Sequence, residues 1–133
     1  MRILTHHIYE YKKGLRPLAL HTLSSEERET AERILQKREI SYFIQEVSVH
    51  KINIFLGQKR EIAYFIQEVS AHKINIFLGD ANCIKIVQSF RKNSLSDYTP
   101  EQDFILGTML GYSRKEQVNR YLKFIHKEEL QHL

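Results

Sequence analysis

Residues 36–57, QKREISYFIQEVSVHKINIFLG, are followed at once by residues 58–79, QKREIAYFIQEVSAHKINIFLG, a tandem copy that differs only at Ser41/Ala63 and Val49/Ala71. Two nearly identical segments compete for one place in a fold, so the chain must enlarge its sheet, set one copy aside, or exchange a copy with another molecule. Taken alone, each copy has the pattern of a β-hairpin, with strands near 40–48 and 51–56 (again 62–70 and 73–78) and turns at Val49-His50 and Ala71-His72. Alternation across such a turn puts Phe43, Val47, Ile52, Ile54 and Leu56 on one face, expected to be core. Tyr42, Ile44, Glu46, Lys51, Asn53 and Phe55 fall on the other.

Outward from the repeat, RILTHHIYEY at 2–11 and LRPLALHTL at 15–23 are rich in β-branched, aromatic and aliphatic residues and flank a Lys12-Lys13-Gly14 turn. They are expected as two strands; Pro17 cannot donate to a ladder, so the second belongs at a sheet edge or begins only after the proline. Ser24 with Glu27 predicts a reciprocally capped helix over 25–37 with Ala31, Ile34 and Leu35 on its apolar face. Beyond the repeat, Asp80 precedes a helical run with Cys83, Ile84, Val87 and Phe90. Thr99-Pro100-Glu101-Gln102 then caps a helix reaching Leu110, and Gly111 ends it. Ser113 with Glu116 opens a last helix, expected to fray beyond Lys127, with Val118, Leu122 and Ile125 as its apolar stripe. The expected fold is a single α+β domain over 1–133, a ββα-ββ-ββ-ααα order with an antiparallel or mixed sheet of about six strands covered by helices.

Of 133 residues, 42% are hydrophobic and 27% charged, as in an ordered globular chain rather than a disordered one. No apolar run approaches the about 20 residues of a membrane helix. The amino terminus lacks the continuous apolar stretch of a signal peptide, and Cys83 has no second cysteine to pair with. A cytoplasmic protein is expected.

The sequence offers little chemistry. The five glycines form no phosphate-binding loop, and Cys83 has no histidine or cysteine beside it. The seven histidines lack metal-ligand spacing: His6 and His7 on a strand would face opposite sides, and His126 and His132 do not align on a helix. Neither a metal nor a cofactor is expected, and no catalytic residue stands out. A site assembled from distant residues such as His6, His7 and Cys83 is the enzymatic possibility. The net charge of +4 suits an acidic partner. Residues 104–124, FILGTMLGYSRKEQVNRYLKF, have the layout of a helix-turn-helix, in which Arg114, Lys115, Gln117, Asn119, Arg120 and Lys123 could face nucleic acid. Against that, the inward anchor expected six residues after Gly111 is Gln117, with Val118 one place later. Arg114, Lys115, Arg120 and Lys123 are therefore the candidate contacts for an acidic partner first and nucleic acid second.

Together, THHIYEYKKGLRPLALHTL, YFIQEVSAHKINIFLGD, CIKIVQSF and YTPEQDFILGTMLGY resemble a small family of uncharacterised bacterial proteins whose members carry the hairpin segment once. The resemblance implies no activity and no catalytic residues. The association of some members' genes with flavodoxin genes implies a redox-linked adaptor. A non-enzymatic protein working through protein contacts is thus expected, with a flavodoxin as partner or with a second copy paired along an exposed strand of the lengthened sheet.

Overall fold

The computed structural model describes residues 1–56 and 64–131, with side chains over 1–47, 72–127 and 129. It comprises helix α1 (Arg2–Lys12), strand β1 (Leu18–Ser24), helix α2 (Arg28–Lys37), strands β2 (Ser41–Leu56) and β3 (Tyr64–Gly79), and helices α3 (Ala81–Ser89), α4 (Pro100–Met109) and α5 (Arg114–Gln131). Single-turn 3₁₀ segments precede α2 and α4. The fold is α+β, but the described sheet has three antiparallel strands in the order β1-β3-β2, not six.

The difference lies in the repeat. Neither copy folds back on itself, and the backbone runs extended through both Val49-His50 and Ala71-His72. β2 and β3 pair over their whole lengths, from Ser41↔Gly79 to Leu56↔Tyr64. Chain connectivity explains this arrangement. The strand leaving α2 must be the first strand of copy one, and the strand entering α3 must be the second strand of copy two. These two therefore lie together in the body of the protein, and the remaining halves are extruded as a ribbon.

The ladder is symmetric in sequence as well as in backbone. Tyr42↔Leu78 recurs as Leu56↔Tyr64, Phe43↔Phe77 as Phe55↔Phe65, and Gln45↔Asn75 as Asn53↔Gln67, about a centre at Val49↔Ala71. Each copy contributes one strand to the body and one to the ribbon. A junction near 57–61 joining two hairpins into a four-strand meander, as the repeat alone predicts, lies outside the described residues.

In the body of the protein, where Leu18–Ser24 and Lys73–Gly79 pair, both faces of the sheet are buried, which overturns the expectation of one core face. On one face Ile74, Ile76 and Leu78 join Ala19 and Leu23 of β1, Leu4 and Ile8 of α1, and Ala31 and Leu35 of α2. On the other, Phe77 and Leu18 pack with Ile84 and Val87 of α3 and with Leu106, Met109 and Leu110 beyond, while Phe43 contributes from β2. The body is thus helices–sheet–helices, a layering that requires successive residues of β3 to be apolar, as Ile74, Ile76, Phe77 and Leu78 are. Asn75 interrupts this run. It is buried, pairs across the sheet with Thr22 and Gln45, and accepts a hydrogen bond from the Thr22 hydroxyl. Gln45 Nε2 donates to the Lys92 carbonyl at 2.9 Å, so the polar row is tied to the loop after α3.

Residues 2–11 form a helix rather than the expected strand. Their β-branched and aromatic content suggested extension, but Leu4 and Ile8, four apart, are fully buried and Tyr11 packs behind them, the spacing of a helical face. At the α2 entry Ser24 Oγ accepts from the Glu26 amide, giving a 3₁₀ turn in place of the reciprocal box with Glu27. Asp80 flanks α3 without a side-chain capping bond and instead accepts from the Tyr11 hydroxyl at 2.9 Å, joining α1 to α3. The Thr99–Gln102 box forms as read, with both bonds at 3.1 Å. α5 continues past Lys127 to Gln131.

Gly79 closes the body where β3 ends. Its φ of +144° is open to glycine, and an added methyl would run into the Pro17 carbonyl oxygen, which already accepts from the Asp80 amide at 2.9 Å. Gly79→Ala is expected to destabilise the fold by about 1–3 kcal/mol, measured as a lowered midpoint in chemical denaturation.

Candidate functional site

The candidate contacts lie on the α4–α5 hairpin, and their orientation is set by one polar side chain. Gln117 is buried at the position where an apolar anchor was expected. Gly107, in the middle of α4, leaves space for it, since a methyl there would overlap the Gln117 amide. Gln117 Nε2 donates to the Phe104 carbonyl at 2.6 Å and to the Thr108 hydroxyl at 2.8 Å, while its Oε1 is buried without a partner. α5 is rotated accordingly. The stripe expected to face the core points outward, with Val118 53% and Leu122 60% exposed, and only Ile125 is partly covered. A mid-helix glycine ten residues before a glutamine was the available signal for this contact.

All four candidate cations are exposed. Arg120 is committed to the hairpin itself: its Nη2 donates to Asp103 Oδ1 at 2.7 Å, and the guanidinium sits 5.2 Å from the Tyr112 ring centre. The hydrogen bond it donates to Asp103 is the largest influence raising its pKa further. Lys123 and Lys127 line a cleft of about 560 Å³ between α5 and the turn before α4, floored by Leu95, Tyr98 and Phe124. On the opposite flank Phe104 and Ile105, 39% and 41% exposed, line a shallow groove with Glu101 and Tyr121. The hairpin thus presents exposed apolar side chains beside exposed cations. Of the six residues offered to nucleic acid, Gln117 and Arg120 are turned to α4 instead.

The histidines of α1 form a second cluster. His7 and His21 have ring centres 5.3 Å apart, His6 Nε2 lies 2.7 Å from Glu10, and Arg16 pairs with Glu10 at 2.6 Å. His7 Nδ1 is buried without a partner. Cys83 packs on the other side of the sheet, with the cluster that holds Phe77, so the structure does not bring it to His6 and His7. Burial pushes its thiol pKa up, with Asp80 adding to the effect. Among the described residues no group of three or more His, Cys, Asp or Glu is placed to hold a metal ion, and no helix is long and apolar enough to cross a membrane. His50 and His132, weighed above as ligands, have side chains outside the described set.

The fold is therefore a three-layer α+β body with a protruding two-stranded ribbon and an exposed helical hairpin. The chain belongs to the DUF2023 family, described as a protein of unknown function, whose pattern matches twice, over residues 2–62 and 58–124. The first match takes in the segments before the repeat and copy one, and the second takes in copy two and the segments after it, so the hairpin alone is doubled. No curated protein matches the chain.

Two outcomes are expected. Gln117→Ala removes two hydrogen bonds and opens a gap at Gly107, costing about 1–3 kcal/mol in denaturant unfolding. The second concerns acid. Desolvation lowers the pKa values of His7 and His21 below 6.5; His21, Arg16 and His6 reinforce this at His7, with Glu10 opposing, while at His21 the amino terminus reinforces it and Glu27 opposes. The unfolded chain takes up protons first, so the contribution of these two histidines to stability is full above about pH 6.5 and is lost as pH drops through the depressed folded values. Unfolding midpoints at pH 8, 6 and 5 should show this decline, and His7→Gln should flatten it.

Proposed function

We propose that this is a non-enzymatic protein that works by docking an acidic protein partner on its α4–α5 hairpin. The observation that carries this reading is the outward rotation of α5, which leaves Val118 and Leu122 uncovered between Lys115 and Lys123. A stripe of this kind on a helix held by one neighbouring helix suits a complementary apolar patch with acidic surroundings. The resemblance to a family linked with flavodoxin genes supports a flavodoxin as that partner, in a redox-linked adaptor role within the cytoplasm. A second contact surface is the outer border of β2, which among the described strands is paired on one side only. Unpaired borders recruit strands from other chains, a second copy included.

Calorimetric titration with a flavodoxin tests the first reading. Val118→Glu with Leu122→Glu should abolish binding. Lys115→Glu with Lys123→Glu should weaken it about tenfold, chiefly through slower association that 0.5 M salt reproduces. Equal binding by all three proteins would refute the hairpin as the docking face.

A further inference from the structure

The repeat places the same residues in two settings, one with a third strand and one without. In the body, Lys73–Gly79 (KINIFLG) pairs on one side with the first strand of copy one and on the other with β1, in the register Leu18↔Gly79 to Ser24↔Lys73. In the ribbon, Lys51–Leu56 (KINIFL) pairs on one side with Tyr64–Val69, the equivalent strand of copy two, and among the described residues no strand lies on its other side. The ladder's symmetry about Val49↔Ala71 carries β1 onto that open side, antiparallel to Lys51–Leu56. We propose that this border is a second acceptor for a strand of β1 chemistry, supplied by a partner chain as a segment like LALHTLS, apolar on both faces at its start, preceded by an amphipathic helix like α1. The proposal rests on the reading of the β2 border as a contact surface and names its occupant.

The molecule itself supplies the argument for that occupant. KINIFLG with β1 is a pairing it already makes, so backbone register and sequence compatibility are both demonstrated within the chain. The helix belongs to the recognised unit because Leu4 and Ile8 of α1 cover Ile74, Ile76 and Leu78 once β1 is in place. A second copy is a poorer source: each chain has one β1, which already occupies its own Lys73–Gly79, so lending it to a neighbour vacates one acceptor to fill another. A partner that adds a strand without giving one up gains main-chain hydrogen bonds outright, with side-chain specificity from alternate residues.

A labelled synthetic peptide of residues 1–25 should bind the full chain with one-to-one stoichiometry in fluorescence anisotropy, and a scrambled peptide should not. Hydrogen exchange should slow at 51–56 on binding. Deletion of 58–79 leaves one acceptor, filled internally, and should weaken binding at least tenfold. Ile54→Pro, which disrupts the ribbon and leaves 41–47 and 73–79 intact, should do the same if the deletion fails to fold. Peptide binding undiminished in both variants overturns the proposal. A chain that takes no peptide and is dimeric by light scattering, with 51–56 protected, overturns it while keeping the border as a contact surface. A monomer that takes no peptide removes both.

Discussion

Everything in this fold depends on where the chain enters and leaves its central pair of strands. α2 delivers the backbone into β2 at Ser41, and β3 releases it into α3 at Gly79, where Gly79 and Asp80 pack against Pro17. Both flanking parts are needed for the core: Leu4, Ala31 and Leu35 come from before the repeat, and Ile84, Val87 and Leu106 from after it. Ser41 and Gly79 must therefore sit side by side whatever lies between them. Two local hairpins would carry the exit strand away from the entry strand and split the core in two. Extruding the surplus as a continuous ladder keeps both layers intact, and the symmetry of the pairing means that no strand residue meets an unfamiliar partner.

Within the body, burial on both faces sets the demands on β3. Ile74, Ile76 and Leu78 serve one layer and Phe77 the other, so the strand has no solvent side on which to place polar residues. Asn75 is admitted because Thr22 satisfies it laterally, while Gln45 in the same row reaches the Lys92 carbonyl. Gln117 follows the same logic between α4 and α5, where a glycine and two acceptors turn a polar residue into the anchor. In each case a polar group fixes an orientation that packing alone would leave open.

What the sequence made legible was local. Thr99 with Gln102, Ser113 with Glu116, Gly111 and Pro17 marked element ends that the structure keeps, because caps and proline act through neighbours in the chain. The helix at 2–12 was obscured by Ile3, Thr5, Ile8 and Tyr9, whose extended preference yields to the burial of Leu4 and Ile8. The three-stranded sheet was illegible for a different reason. Each copy read alone favours its own turn, and only the attachment of both copies to one core decides against it. All four candidate cations lie at the surface; the tie of Arg120 to Asp103 and Tyr112 was not legible because both come from outside α5. Val118 was assigned to the core because apolarity was weighed and a glycine's vacancy on the facing helix was not.

The ladder centred on Val49↔Ala71 also makes the number of copies a variable the core does not register. A further 22-residue unit would add 11 residues to each strand, lengthening the ribbon by about 36 Å while Ser41 and Gly79 equivalents stayed adjacent. Slippage during copying of such a gene changes the protein's reach without touching its foundations, so length can drift under selection for what the ribbon touches alone.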